Sequence, residues 1–130
     1  MKPPRNPENR VSTRTRRTPQ QSEGQAAEAQ ALAYLQERGL NLVERNFRCK
    51  TGEIDLIMRD QATLVFVEVR KRQSSRYGGA LASVTFAKQA RLVSAAQFYL
   101  QRYNAMPPCR FDVIAMEGDS MHWLQNVIEA

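Results

Sequence analysis

Apolar residues recur at helical spacing in two parts of the chain. The first covers residues 22–38, where Ser22 and Gln25 have the spacing of a capping box and Gly39 provides a stop. The second covers residues 85–104. Its apolar stripe consists of Leu92, Val93, Ala96, Tyr99, Leu100 and Tyr103. Both segments are predicted α-helices.

Shorter segments with the alternation or composition of β-strands occupy the rest of the chain. They are residues 40–48, 54–58, 63–70, 110–116 and 121–127. A polar turn at residues 59–62 separates the second strand from the third, and another at residues 117–120 separates the fourth from the fifth. The predicted order is α-β-β-β-α-β-β. A three-stranded meander between two helices predicts an α/β fold with a mixed central sheet of about five strands flanked by helices.

The length of 130 residues suits one domain, preceded by a basic tail. Residues 1–21 contain six cationic side chains and one acid, a net charge of +5 out of the total of +6. The tail has almost no large apolar residue, so it is predicted to be disordered, and residues 22–130 form the domain. The tail is either a phosphate-contacting arm or a solvated segment that aids solubility.

The composition excludes several kinds of site and segment and favours one cellular location. The two cysteines, Cys49 and Cys109, are widely separated and form no CxxC motif, so a disulfide scaffold and a cysteine zinc site are excluded. No apolar run is long enough to span a membrane, and the first residues lack a secretory signal pattern. The expected location is the cytoplasm, without a membrane partner.

Two acids in the central hairpin are the first candidates for chemistry. Alternate residues of a strand share a face. With a four-residue turn, Met58 pairs with Thr63, which sets Glu53 opposite Glu68 and makes Asp55 a diagonal neighbour of Glu68 on the same face. A three- or five-residue turn would instead separate Asp55 and Glu68 across the sheet.

Neighbouring carboxylates repel each other, and two arrangements relieve the repulsion. A divalent cation would be held by Asp55 and Glu68, since Mg²⁺ is typically bound by one or two carboxylates with water and phosphate. Arg70 points into the same cluster, where its charge suits a phosphate undergoing hydrolysis. Alternatively, the residues form a salt-bridged solvent face in which Arg70 neutralises Glu68.

Glu28 is an acid within the apolar stripe of the first helix. It precedes Leu32 by four residues and Leu35 by seven, so it faces the sheet. A buried carboxylate needs a metal, a metal-bound water or a cation as its partner. The alternative is a position at the rim of the stripe, in partial contact with water.

Basic residues cluster after the third strand. Arg70, Lys71, Arg72 and Arg76 are placed to contact a nucleic-acid backbone, and Tyr77 could stack on a base. The alternative is a solvated basic edge strand. Near the end of the chain, Asp112 is expected to pair with Arg110 within a strand. His122 is expected at the surface and Trp123 in the core.

Two motifs resemble the small bacterial YraN-like family. They are residues 52–57 (GEIDLI) and residues 66–70 (FVEVR). The resemblance extends over residues 22–128 and includes Glu28, Tyr77-Gly78-Gly79, Lys88 and Phe111-Asp112-Val113. That family is grouped with the PD-(D/E)xK nuclease superfamily, whose restriction-endonuclease-like fold includes archaeal Holliday-junction resolvases.

The resemblance implies a metal-dependent nuclease site. Asp55 and Glu68 match the two acidic metal ligands, and Glu28 matches the additional helix acid of resolvase-like members. Arg70 stands where the superfamily usually has lysine, and because arginine stays protonated it cannot act as a general base. Lys71 points to the opposite sheet face, which leaves Lys88 on the second helix as the candidate for a relocated lysine.

The function expected from these residues is phosphodiester hydrolysis in DNA, duplex or branched, with Mg²⁺ or Mn²⁺ as cofactor. A homodimer is a further expectation, since two-fold enzymes suit two-fold symmetric substrates. Two alternatives remain open: a nucleic-acid-binding module without catalysis, favoured by the missing lysine, and a protein–protein adaptor.

Overall fold

The computed structural model describes residues 19–72 and 83–128, with side chains from Gly24 onward. Two helices and five strands follow the predicted order α-β-β-β-α-β-β. They are α1 (Pro19–Glu37), β1 (Asn41–Cys49), β2 (Gly52–Asp60), β3 (Thr63–Arg72), α2 (Phe86–Leu100), β4 (Cys109–Glu117) and β5 (Ser120–Leu124). Neither described helix is long and apolar enough to cross a membrane.

The five strands form one mixed sheet in the order β1-β2-β3-β4-β5. The β3–β4 pair is parallel and the other pairs are antiparallel. This difference follows from the connections, since antiparallel neighbours can be joined by tight turns whereas parallel ones need a long crossover, which here contains α2. The predicted mixed α/β fold is confirmed.

The helices cover opposite faces of the sheet, and β3 supplies both cores. Leu64 and Phe66 pack in the cluster that includes α2 residues, where the Phe66 ring stacks on Phe111. Val65 and Val67 pack in the cluster that includes Ala27, Ala31 and Leu35 of α1. A strand buried on both faces loses its polar alternation, which explains the continuous apolar run in this part of the sequence.

The helix ends differ from the prediction at several positions. α1 begins at Pro19, a residue favoured at the first helical position, so residues 19–21 belong to the helix and the Ser22–Gln25 pair is not its N-terminal cap. Residues 1–18 lie outside the described chain. The predicted stop at Gly39 is confirmed: Gly39 has φ +95°, and the Gly39 and Leu40 amides donate to Gln36 and Leu35 in a Schellman arrangement.

The second helix is shorter than predicted. Thr85 caps it by accepting the Lys88 amide, and it ends at Leu100, four residues before the predicted end. The Tyr103 amide donates to the carbonyl of Leu100, so the chain continues in a tight turn and Tyr103 still packs against the core. Most of the predicted stripe is buried, together with Ala95, which the sequence analysis did not include.

The central hairpin has a two-residue turn instead of the predicted four-residue turn. Asp60 pairs with Thr63, and Met58 pairs with Val65 and not with Thr63. Gln61 has φ +56°, the left-handed conformation that the first central residue of a tight hairpin turn adopts. The predicted register was therefore wrong by two residues, but an even shift leaves the side chains of the paired residues, 56–60 and 63–67, on their predicted faces.

The sheet bears on two further expectations. β3 lies at its centre, but among the described residues its basic end, residues 70–72, pairs only with β4, so the alternative of a solvated basic edge stays open at this end of the strand. The last strand ends at Leu124, three residues before the predicted end, and Asn126 has φ +55°.

The Asp112–Arg110 pair is confirmed and is part of a larger buried network. Asp112 is fully buried and accepts hydrogen bonds from Arg110 Nε at 3.1 Å, Trp123 Nε1 at 2.9 Å and the Asn126 amide at 2.8 Å. Arg110 also contacts Asp60 at 3.1 Å. His122 is exposed as expected, and Trp123 is half-buried against the α1 core. The network connects β4 to the end of the chain.

We expect Asp112→Ala to lower the free energy of unfolding by about 3–5 kcal/mol, because Arg110 and two N–H donors would lose a buried acceptor. Urea denaturation followed by circular dichroism measures the change. Asp119→Ala, in the exposed β4–β5 turn, is the matched control and should change stability by less than about 0.5 kcal/mol. Equal stability of the two variants would contradict the role of the Asp112 network.

Candidate functional site

The central strands β2 and β3 separate at one end, and Asp55 lies at the point of separation. Their pairing runs from Asp60–Thr63 to Leu56–Val67 and stops there. In an uninterrupted antiparallel ladder, the next hydrogen-bonded pair would be Ile54 with Val69. Instead, the Val69 amide donates to Asp55 Oδ2 at 2.8 Å. The Asp55 side chain thus accepts the hydrogen bond that a neighbouring backbone carbonyl would otherwise accept.

The regular alternation of side chains in β2 is interrupted next to Asp55. Ile54 and Ile57 both pack in the α2 core although residues three apart in a regular strand face opposite ways. Asn46, which the pairing of β1 with β2 places opposite Asp55, has φ +52°. Asparagine tolerates this left-handed conformation better than other non-glycine residues. Asn46 therefore accompanies the break that gives Asp55 its orientation.

Glu28 reaches this point from α1. The residue is half-buried, but its Oε1 atom is inaccessible to solvent and has no hydrogen-bond partner in the described part of the chain. Asp55 and the Asn46 side chain are near enough to the carboxyl group to shift its pKa, Asp55 upwards and Asn46 downwards. The buried stripe of α1 is formed by Ala27, Ala31 and Leu35, and Glu28 lies beside it. Both expectations for Glu28 hold in part: one oxygen is buried, and the residue borders the stripe.

Glu68 and Arg70 form the β3 side of the site. Arg70 Nη1 lies 3.4 Å from Glu68 Oε2, and Arg70 Nε donates to Ser83 Oγ at 3.0 Å. Only 15% of the Glu68 side chain and 16% of the Arg70 side chain are exposed. The pair is thus held within the site and differs from the solvated surface pair that the sequence left open.

These residues line a cleft of about 780 Å³. Its walls come from the N-terminal part of α1, the β1–β2 turn, the separated ends of β2 and β3, and α2. Four acids and seven basic residues line it: Glu28, Glu53, Asp55 and Glu68, with Arg48, Lys50, Arg70, Lys71, Arg72, Lys88 and Arg91. Glu28, Asp55 and Glu68 are partly buried whereas Lys50, Lys71, Arg72 and Arg91 are exposed, so the cleft has an acidic floor and a basic rim.

Burial and mutual repulsion raise the pKa values of the floor acids. Desolvation, followed by the negative charge of Asp55, raises the pKa of Glu28 from 4.5 to about 7. The same two causes raise the pKa of Glu68 to about 7, against the opposing charges of Arg70 and Lys88. Desolvation also raises the pKa of Asp55, although the Val69 amide acts in the other direction. Without added cations, the three groups resist being ionised together.

The structure brings most of the predicted site residues together. Glu28, Asp55, Glu68, Arg70, Lys71, Arg72 and Lys88 all line the cleft. Arg76 and Tyr77 lie outside the described residues. Four residues of the site were not among the predicted ones: Asn46 and three cleft cations, Arg48, Lys50 and Arg91. The one available signal was the basic composition of residues 48–50, which flank the β1–β2 turn.

Gly52 allows α2 to approach the site. A Cβ atom at this position would collide with the backbone carbonyl oxygen of Arg91. Glycine therefore lets the start of β2 lie directly against α2, which brings Lys88 and Arg91 to the cleft. The first residue of the GEIDLI motif is thus explained by close backbone packing.

Within residues 19–72 and 83–128, no group of three or more His, Cys, Asp or Glu residues has the geometry of a protein-only metal site. Asp55 and Glu68 can still supply two oxygen ligands, which is the usual protein share of a Mg²⁺ site completed by water and phosphate.

Comparisons with known proteins identify the family of this chain. Residues 27–116 match the model of the uncharacterised protein family UPF0102. The chain is 63% identical over 114 residues to a UPF0102 protein of Janthinobacterium sp. (strain Marseille), covering 88% of this chain and 93% of that protein. It is 60% identical to one from Herminiimonas arsenicoxydans, covering 88% and 92%. A protein from Cupriavidus taiwanensis is 53% identical, covering 89% of each chain.

Its fold and site define this chain as a small α/β protein with an acidic cleft where a mixed sheet opens. The chain belongs to the UPF0102 family, the YraN-like family that its motifs resemble.

We expect Gly52→Ala to lower the free energy of unfolding by about 1–3 kcal/mol, because the added methyl group meets rigid helix backbone. Gly24→Ala is the matched control, since a Cβ atom there meets nothing within 4 Å. The control should raise helix stability by up to about 1 kcal/mol. Thermal and urea denaturation would compare the two variants, and a Gly52→Ala protein as stable as wild type would contradict the close approach.

The raised pKa values predict how stability depends on pH. Between pH 4.5 and about 7 the folded protein holds more protons on Glu28 and Glu68 than the unfolded chain does. The free energy of unfolding contributed by these groups should therefore fall as the pH rises through this window. Urea denaturation in EDTA would measure it. Glu28→Gln should reduce the fall, whereas Glu37→Gln, at the exposed end of α1, should not; equal slopes in both variants would contradict the assignment.

Proposed function

We propose that this protein is a metal-dependent DNA endonuclease that hydrolyses a phosphodiester bond with water. The observation that carries the proposal is the convergence of Glu28, Asp55 and Glu68 in one cleft whose rim is basic. A basic rim attracts a polyanion, and the acids would repel its phosphate unless a cation lay between them. The same site thus favours both a nucleic acid and a divalent ion.

The donor set fits a hard divalent cation. Mg²⁺ or Mn²⁺ would be held by Asp55 and Glu68, with water and a substrate phosphate oxygen as the remaining ligands. When bound, such an ion activates water and withdraws charge from the phosphate. It would also lower the repulsion among the floor acids, which explains why a folded domain tolerates them side by side.

Arg70 is placed to stabilise negative charge on the phosphate. Ser83 and Glu68 fix its Nε and Nη1 atoms, so its guanidinium is already oriented before substrate arrives. Preorganised charge of this kind lowers the barrier because no side chain must be ordered during the reaction. Arginine keeps its proton, and its role is therefore electrostatic.

Two other residues complete the proposed chemistry. The buried Oε1 atom of Glu28 lacks a donor in the described chain, so it can accept a hydrogen bond from a water molecule and orient it. Lys88 is near enough to Glu68 to lower the pKa of that carboxyl group. Lys88 thereby provides a lysine charge in the site, although the strand position that usually carries lysine in the superfamily is occupied by Arg70.

Asp55→Asn is the variant that tests the proposal most sharply. Asparagine keeps an oxygen for the Val69 amide but loses the charge, whereas alanine would also leave that amide without its acceptor. We expect at least about a 100-fold loss of cleavage with the fold retained. The assay offers Mg²⁺, Mn²⁺ or EDTA with linear duplex, single-stranded, flap, fork and four-way-junction DNA, and the preferred substrate would identify the structure recognised.

Asp119→Asn, at an exposed turn, is the control for purification and net charge and should cleave like wild type. Cleavage that persists in Asp55→Asn would contradict the site and indicate a contaminating nuclease. Metal-independent, salt-sensitive DNA binding without cleavage would instead identify a binding module in which Arg70 marks absent catalysis. Neither cleavage nor binding would favour the adaptor alternative.

A further inference from the structure

The cleft has basic residues on both sides of its opening. Lys71 and Arg72 lie at the end of β3, and Arg48 and Lys50 lie across from them at the β1–β2 turn, because β2 and β3 have separated between these positions. Arg91 of α2 extends the second side. We define Arg48, Lys50 and Arg91 as the hairpin rim. It is distinct from the β3 cations that the sequence motifs indicate.

The hairpin rim is held in place by two contacts with α2. Ser94 Oγ donates to Thr51 Oγ1 at 2.8 Å, and Gly52 lies directly against the backbone of Arg91. These contacts fix the turn that carries Lys50 relative to the helix that carries Arg91. The backbone that carries the rim side chains is therefore held in place beside the acidic floor, so that only the side chains must be ordered on binding.

The charges of the hairpin rim are available to a ligand. Arg48 contacts Glu53 at 3.9 Å, but 74% of the Arg48 side chain and 59% of the Glu53 side chain are exposed. An exposed pair at this distance is weak, so a phosphate can displace Glu53 at little cost. Lys50 and Arg91 are also exposed.

The described cleft lining is rich in groups that contact phosphate and lacks two kinds of group that read bases. None of its described residues is aromatic, and none is Asn, Gln or His. Stacking on aromatic rings and amide contacts to adenine, two common means of base recognition, are thus absent from this lining. Lysine and arginine contacts to phosphate carry no sequence information by themselves.

We propose that the hairpin rim is a second phosphate-binding wall, so that the cleft grips the nucleic-acid backbone on both sides of the acidic floor and does so independently of base sequence. The inference rests on the proposed function for the identity of the polyanion, which is DNA. The rim contributes to binding whether or not the floor is catalytic.

Two triple variants with the same loss of charge provide the test. The rim variant carries Arg48→Gln, Lys50→Gln and Arg91→Gln. The control variant carries Arg38→Gln, Arg59→Gln and Arg102→Gln, three arginines outside the cleft lining. Binding is measured by fluorescence anisotropy in EDTA, at several salt concentrations, on two duplex DNAs of unrelated sequence and on RNA of the same sequence. Circular dichroism establishes that both variants are folded.

We expect the rim variant to reduce the dependence of log K on log[salt] by about 2–3, since each lost phosphate contact removes about 0.9. The weakening should be equal on both DNA sequences, and the control variant should bind like wild type. Comparison with RNA shows whether the wall distinguishes the two sugars. A rim variant that binds like the control, or that weakens binding to one sequence only, would overturn the inference.

The outcomes separate this inference from the proposed function. If wild type shows rim-dependent binding but no metal-dependent cleavage, hydrolysis is contradicted and the second wall stands. If wild type cleaves and the rim variant binds like the control, the second wall is contradicted and hydrolysis stands.

Discussion

The hydrogen bond from the Val69 amide to Asp55 Oδ2 is the interaction around which the site is organised. Where β2 and β3 separate, β3 would present an unpaired backbone donor in a partly buried position, which is costly. The Asp55 carboxylate satisfies it and thereby becomes fixed beside Glu68. The opening in the sheet provides space for the cleft, and closing it would remove both the cleft and the orientation of the acid.

The net charge of this protein does not describe the distribution of charge around its cleft. Residues outside the first 21 carry a net charge of only +1, yet the cleft lining holds seven basic and four acidic residues. The acids are buried enough for the pKa values of Glu28 and Glu68 to rise, while most cations stay in solvent. Total charge thus says little about the site, because the field that a phosphate would meet depends on which sign lies deep and which lies at the rim.

The sequence was sufficient to predict the element order and to indicate that Asp55 and Glu68 lie in one site. The two-residue error in the hairpin register left the paired residues, 56–60 and 63–67, on their predicted faces because side chains alternate with a period of two. Beyond Leu56 the alternation breaks, since Ile54 packs on the same side as Ile57, so strand period alone did not determine the orientation of Asp55. The exact pairing depended on Gln61 adopting a left-handed conformation, which glutamine does not signal. Gly39 gave a correct helix end because glycine is the usual residue for that conformation.

Other parts of the site could not be predicted because they arise from tertiary contacts. The role of Gly52 depends on the backbone of α2, which is distant in sequence. Asn46 and Arg91 reach the site through sheet pairing and helix docking, and no local pattern marks them. The sequence therefore indicated the acids of the floor better than the walls that surround them.

Asp55 accepts the Val69 amide and is also a proposed metal ligand, and these two roles affect how related proteins would diverge. A descendant that no longer hydrolysed its substrate would be free to replace Glu68, since no backbone donor within residues 19–72 and 83–128 depends on that carboxylate. It would still need an oxygen acceptor at position 55 for the Val69 amide. An Asp or Asn retained at position 55 could therefore reflect folding alone. A Glu retained at position 68 would be the better indicator that hydrolysis is retained.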